Sequence, residues 1–183
     1  IARWLAERGA RHLLLAGRRG LPPRESWAQQ TDEGIRRSID IVEAIEALGA
    51  SVHPLALDVT DEGAVRQVLQ GGAASLSSGV QWPAVRGIVH AAAVADDCLI
   101  DRLTPASLRN VLRPKATGAA VLARATDGHA IDFLVLCSSL GSLLGQPGQA
   151  SYAAANAYLD ALAVDLRRRG VPSTPRPVGR NRS

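Results

Sequence analysis

Along the chain, short apolar runs alternate with segments whose apolar residues recur on one helical face. The runs are "RHLLLAG" (11–17), "SVHPLALDV" (51–59), "VRGIVHAAAV" (85–94) and "IDFLVLCSS" (131–139). Each is nearly continuous rather than alternating, which is the pattern of a strand buried on both faces. Residues 1–9 have the spacing of an amphipathic helix stopped by Gly9. "IRRSIDIVEAIEALG" has apolar residues at 35, 39, 42, 45 and 48 and stops at Gly49. "TDEGAVRQVLQ" starts on a Thr/Asp cap. "TPASLRNVLRPKATGAAVLARAT" opens on Thr104–Pro105, a favourable helix entry, and Pro114 predicts a kink. "GQASYAAANAYLDALAVDLRRRG" predicts a long helix ending at Gly170. The stretches 20–34 and 71–83, rich in Gly, Pro or Ser, are expected to be loops. Strands alternating with helices predict an α/β fold with a doubly wound parallel sheet.

Composition narrows the function classes. With 183 residues and 46% apolar content, the chain can bury a sizeable core. No apolar run is long enough for a membrane span, and no secretory signal stands at the first residues. Cys98 and Cys137 lack metal-ligand spacing, so no metal site is expected and a cytoplasmic protein accounts for them. The net charge of +4 owes much to six arginines between Arg167 and Arg182. Aromatics make up only 3%, which argues against a nucleic-acid surface built of basic and aromatic residues. Lys115 is the only lysine among 21 basic residues.

An open α/β fold binds ligands at the carboxyl ends of its strands. The polar residues expected there are Arg18 and Arg19, Asp58, the segment Ala91 to Asp97, and Ser138 and Ser139, with Tyr152 and Asn156 on the helix that follows. Tyr152 and Asn156 are four residues apart, hence on one helical face. A carbonyl undergoing reduction gains negative charge on oxygen, so it needs a proton donor and a second hydrogen-bond donor. A phenol ordinarily ionises near pH 10, and a neighbouring cation favours the phenolate. Ser139, Tyr152 and Lys115 together could supply these parts. Equally, Ser139 could cap a turn, Tyr152 could pack and Lys115 could be solvated.

These residues carry a resemblance. "VLCSSLGSLLGQPGQASYAAANAYLDALA", "LLLAGRRG", "LDVTD", "GIVHAAAVADD" and "LTPASLRNVLRPKATGA" resemble the ketoreductase domains of modular polyketide synthases, within the short-chain dehydrogenase/reductase superfamily. The resemblance runs from Ile1 to about Thr174 and implies a Rossmann-like fold. It implies NADPH-dependent reduction of a β-ketoacyl thioester carried on an acyl carrier protein, alongside other synthase domains. Most of the superfamily places lysine four residues after the tyrosine. This subfamily has asparagine there and lysine on the preceding helix, as with Asn156 and Lys115. By resemblance Tyr152 donates the proton, Ser139 holds the ketone oxygen, Lys115 tunes the tyrosine and orients the nicotinamide ribose, and Asn156 supports that network. Arg18 and Arg19 suit a 2′-phosphate through charge-assisted bonds, although an exposed turn is the plainer reading. Asp58 and Val59 resemble the adenine-binding stretch. Ala91, Ala92 and Ala93 resemble the backbone that lies against the cofactor, with Ala93 where the family has glycine. Asp97, Leu144 and Pro147 resemble the class that forms the D-configured (3R) hydroxyl, although Ala95 replaces the leucine of its signature. A solvated acidic turn is the other reading of Asp96 and Asp97.

The pattern departs from the family at both ends. The glycine-rich loop that cradles the pyrophosphate, and the strand before it, are expected upstream of the first helix; the chain begins inside that helix. After Thr174 the family continues into a buried strand, whereas residues 175–183 form an Arg/Pro-rich tail whose Pro175 and Pro177 exclude a central strand. The chain therefore reads as a partial catalytic subdomain over 1–174 and a divergent tail over 175–183. A non-catalytic remnant of a synthase and a free-standing short-chain reductase are the competing readings.

Overall fold

The computed structural model describes residues 1–71 and 82–171 and the backbone of 173–177. Most of the loop predicted over 71–83 and the end of the tail lie outside the described residues. The chain divides into two compact units, Ile1–Asp58 and Val59–Ser183. Their strands form two separate parallel sheets, and no described strand joins them. No described helix is long and apolar enough to cross a membrane, and no described cluster of His, Cys, Asp or Glu could hold a metal ion.

The first unit runs α1 (Ala2–Glu7), β1 (His12–Gly17), α2 (Glu33–Glu46) and β2 (Ser51–Ala56). β1 and β2 pair in parallel from His12 opposite Ser51 to Gly17 opposite Ala56. The apolar spacing seen in α2 becomes a buried stripe: Ile39, Val42 and Ile45 pack with Ala6, Trp27, Ala50 and Val52. The Asp32 carboxylate accepts from the Ile35 amide at 2.9 Å and caps α2, a contribution of about 1 kcal/mol. The stretch 20–34 is more than the loop its composition suggests. It holds a 3-10 turn over Arg24–Gln29, in which Trp27 is buried and donates its indole N–H to the Pro22 carbonyl at 2.8 Å. One aromatic anchor outweighs the polar composition around it.

The second unit contains α3 (Glu62–Leu69), β3 (Gly87–His90), α4 (Pro105–Leu112), α5 (Gly118–Ala125), β4 (Phe133–Ser138), α6 (Gly141–Leu144), α7 (Ala150–Arg168) and β5 (Ser173–Pro177). The sheet order is β3-β4-β5, all parallel. Leu134, Leu136, Leu159, Ala163 and Leu166 are fully buried and join β4 to α7. Asp61 caps α3 and Thr104 caps α4, each accepting a main-chain N–H. β3 is shorter than the run "VRGIVHAAAV" suggests: it ends at His90, and Ala91–Val94 leave the sheet. β5 carries Pro175 and Pro177 opposite Leu136 and Ser138. It lies at the sheet edge, where a residue without an N–H is tolerated. The kink expected at Pro114 takes the form of a π turn over Arg113–Thr117 between α4 and α5, a wider turn often found at functional sites.

Candidate active site

Three elements of the second unit converge on one cluster. The π turn presents Lys115, the C-terminal end of β4 presents Ser138 and Ser139, and the first turns of α7 present Tyr152 and Asn156. Lys115 is only 3% exposed. Its ammonium donates to the Cys137 carbonyl at 2.8 Å and lies 5.3 Å from the centroid of the Tyr152 ring. The solvated-lysine alternative is thereby overturned. Burial pushes the Lys115 pKa below its ordinary value, against the opposing pull of Cys137 and Asp160.

The lysine backbone is fixed as well. The His90 ring donates from Nε2 to the Lys115 carbonyl at 2.9 Å, and since a carbonyl only accepts, the proton must reside on Nε2. The same carbonyl also accepts a main-chain N–H at the end of the π turn, so the ring adds a second donor to it. Burial lowers the His90 pKa; its bond to the Lys115 carbonyl works in the other direction, and the Lys115 charge lowers it further. Gly118 closes the same corner: a Cβ there would stand 2.6 Å from Val59 Cγ1 and 3.2 Å from His90 Cε1.

On α7 the Asn156 amide donates to the Tyr152 carbonyl at 2.8 Å, and the Asn156 carbonyl accepts from the Ser138 hydroxyl at 3.4 Å. Asn156 is fully buried, yet its Oδ1 has no hydrogen-bond partner among the described residues. A buried acceptor of this kind is normally satisfied by water or a bound ligand. The Ser139 hydroxyl accepts from the Gly141 amide at 3.1 Å, which leaves its own proton available. The acidic segment is anchored near the same helix. Asp97 accepts from the Gln149 amide at 2.8 Å, and the Cys98 amide donates to the Gly148 carbonyl at 2.8 Å. Asp97 is therefore tied down rather than merely solvated. Leu144 and Pro147 are exposed, Leu144 to 81%.

The predicted cofactor residues fall in both units. Ala91 and Ala93 are exposed and Ala92 is half-buried, directly after β3. Val59 packs against Gly118. Arg18 and Arg19 are exposed on the turn that follows β1, and Asp58 is half-buried after β2. Sequence reasoning missed His90, Gln149, Ser142 and Asp160. Asp160 had a readable signal, since positions 152, 156 and 160 share a helical face. His90 had a weaker one, a polar residue closing an otherwise apolar strand.

The fit of a nicotinamide cofactor can be judged from these atoms. Within the second unit, a buried acceptor on Asn156 and a lysine ammonium with protons to spare suit ribose hydroxyls; within the first, two exposed guanidiniums suit a phosphate.

Comparison with known proteins agrees with this picture. The family profile described as "KR domain" matches residues 1–176. The 6-methylsalicylic acid synthase of Aspergillus terreus is 44% identical over 173 residues, which cover 93% of this chain and 9% of the synthase. The 5-methyl-1-naphthoate synthase of Streptomyces sahachiroi is 45% identical over 173 residues, covering 94% and 9%. The chain thus spans less than a tenth of the length of these curated relatives. A solved structure of A-type ketoreductases from a modular polyketide synthase superposes with a TM-score of 0.77 at 34% identity, over 95% of this chain and 33% of that one. The first ketoreductase of the tylosin synthase gives 0.76 at 33% identity, over 95% and 34%. A short-chain dehydrogenase from Mycobacterium paratuberculosis, solved with NAD bound, shares the fold with a TM-score of 0.68 at 24% identity, over 93% and 63%.

Proposed function

The chain belongs to the ketoreductase (KR) domain family of polyketide synthases, and from that premise we propose that it carries the proton-transfer side of a β-ketoacyl reductase. The substrate is a β-ketoacyl thioester on an acyl carrier protein, the cofactor is NADPH, and the product is the β-hydroxyacyl thioester. The observation that carries this reading is the buried Lys115 ammonium against the Tyr152 ring, pinned by the Cys137 carbonyl. Burying the chain's only lysine is costly, and such a cost is expected at a working site.

The geometry, the chemistry of the groups and the family resemblance support the following roles. The Ser139 hydroxyl, held from behind by the Gly141 amide, donates to the ketone oxygen. The Tyr152 phenol gives that oxygen its proton as negative charge develops. Lys115 stabilises the phenolate left behind, and its remaining N–H groups, with the Asn156 Oδ1, receive the ribose hydroxyls. When bound, the nicotinamide supplies the hydride to the carbonyl carbon. Arg18 and Arg19 hold the 2′-phosphate, Asp58 and Val59 border the adenine, and Ala91 to Ala93 line the cofactor. Asp97, Leu144 and Pro147 set a D-configured (3R) hydroxyl.

The test is NADPH consumption with a β-ketoacyl thioester, followed by chiral analysis of the alcohol. The full polypeptide is expected to reduce the ketone, and Tyr152→Phe to lose about 10³-fold or more in rate, since a positioned proton donor contributes about 10²–10⁴-fold. An undiminished rate in Tyr152→Phe would remove the proton-donor assignment, and a 3S product would remove the stereochemical one.

A further inference from the structure

Between the serine-bearing turn and the tyrosine helix lies a polar contact that the reduction chemistry does not use. Ser142, on the four-residue helix α6, places its hydroxyl 2.9 Å from Asp160 Oδ2 on α7 and 2.8 Å from the Ser139 carbonyl oxygen. A hydroxyl has one proton to give. The Ser139 carbonyl already receives the Ser142 main-chain N–H at 3.1 Å. An ionised carboxylate is the stronger acceptor, so the Ser142 proton goes to Asp160. Both Ser139 groups are thereby referenced to the turn over 139–142: the carbonyl to Ser142, the hydroxyl oxygen to the Gly141 amide.

Apart from its own main-chain hydrogen bonds, that turn has little apolar burial to hold it. α6 contains no buried residue, and Leu140, Leu143 and Leu144 are 53%, 81% and 81% exposed. A segment with so little apolar burial has low local stability unless polar contacts hold it. α7, in contrast, is anchored in the core by Leu159, Ala163 and Leu166. Asp160 is one helical turn beyond Asn156 and two beyond Tyr152, so it shares their face.

We propose that Ser142 and Asp160 are positioning residues: their hydrogen bond ties the serine-bearing turn to the tyrosine helix, so that Ser139 and Tyr152 address the same ketone oxygen. The tie is a property of this chain's own side chains. Its catalytic consequence rests on the reduction proposed above.

Two measurements separate the claims. Amide hydrogen exchange on the full chain reads the tie directly. Ser142→Ala and Asp160→Ala should speed exchange at residues 142–145 by about tenfold or more while α7 and β4 stay protected. Asp160→Asn, which keeps an acceptor, should lie between, and Ser142→Thr should match the parent. Unchanged exchange at 142–145 in Ser142→Ala and Asp160→Asn overturns the tie. Turnover then reads its consequence, with Tyr152→Phe as the control. Ser142→Ala should lower kcat by about 10- to 10²-fold with KM for the thioester little changed, the size expected for a misplaced catalytic group. Ser142→Thr should restore kcat. Faster exchange with full kcat overturns the positioning role. A parent that reduces nothing overturns the reduction reading, while the exchange result still decides the tie.

Discussion

Replacing Lys115 by methionine removes the only lysine charge in the chain while filling a similar volume. The substitution forfeits one charge-assisted hydrogen bond to the Cys137 carbonyl, worth about 1.5–3 kcal/mol. It also forfeits the contact with the Tyr152 ring, worth about 2 kcal/mol when desolvated. Against these stands the burial of an ammonium, which costs several kcal/mol. The lowered Lys115 pKa, with burial as its first cause, means that the folded protein disfavours the charge. At neutral pH, Lys115→Met should therefore unfold no more easily than the parent, although reduction is lost. The sharper expectation concerns pH. The unfolded lysine keeps its proton up to about 10.5, whereas the folded one releases it at a lower pH. Between those two values the unfolded state binds more protons, so parental stability rises with pH by up to about 1.4 kcal/mol per unit. Urea unfolding of parent and Lys115→Met, in steps from pH 7.5 to 10.5, gives the difference between them. Both proteins carry Tyr152→Phe and Cys137→Ala, because those two groups interact with the lysine, so the difference between them reads Lys115 alone. The difference should be flat at the lower end and then move in favour of the parent. A difference that stays flat to pH 10.5, or moves the other way, would refute the claim that Lys115 is buried at a cost.

Two further perturbations address the corner behind the lysine. His90 has a folded pKa below 6.5 because it is buried, so its contribution to stability is full above pH 6.5 and declines as pH falls toward the folded value, by up to about 1.4 kcal/mol per unit. His90→Gln keeps a donor for the Lys115 carbonyl but has no titration; its stability should fall less steeply between pH 6.5 and 5, with the His53 contribution left in both proteins, and identical slopes would sink the assignment. Gly118→Ala gains about 1 kcal/mol of helix propensity but places a methyl 2.6 Å from Val59 Cγ1, where overpacking costs about 1–3 kcal/mol. It should melt a few degrees lower, with partial recovery in the Gly118→Ala/Val59→Ala double variant, and an unchanged or higher melting temperature would show that the corner has room.

Much of this architecture was legible because burial leaves a period. The stripe at 35, 39, 42, 45 and 48 and the run through Leu134 and Leu136 predict a buried helix face and a buried strand; Ile39, Val42, Ile45, Leu134 and Leu136 are found in the core, Ile35 packs against it, and Leu48, just past the end of the helix, is exposed. Tyr152 and Asn156 were legible as a pair because four residues is one turn. Lys115 could be named but not placed: nothing in "RPKATG" says that Pro114 opens a π turn rather than a simple kink, and the π turn presents the ammonium inward. Ser142 was invisible for another reason. Its partners, Ser139 and Asp160, come together only through the tertiary packing of α6 against α7, and pairing of that kind leaves no spacing to read. Trp27 shows the limit of composition, since the polar stretch around it suggests a loop while one indole finds the core.

The solitary buried lysine has a practical corollary. Amine-directed reagents find no other lysine side chain in this sequence, and this one is 3% exposed and engaged with a carbonyl. Acylation at Lys115 therefore requires the π turn or its surroundings to open. Mass spectrometry of a timed acylation would count such openings in the unmodified protein, with no tag or engineered cysteine, and a molecule that occupies the site would declare itself by slowing the label.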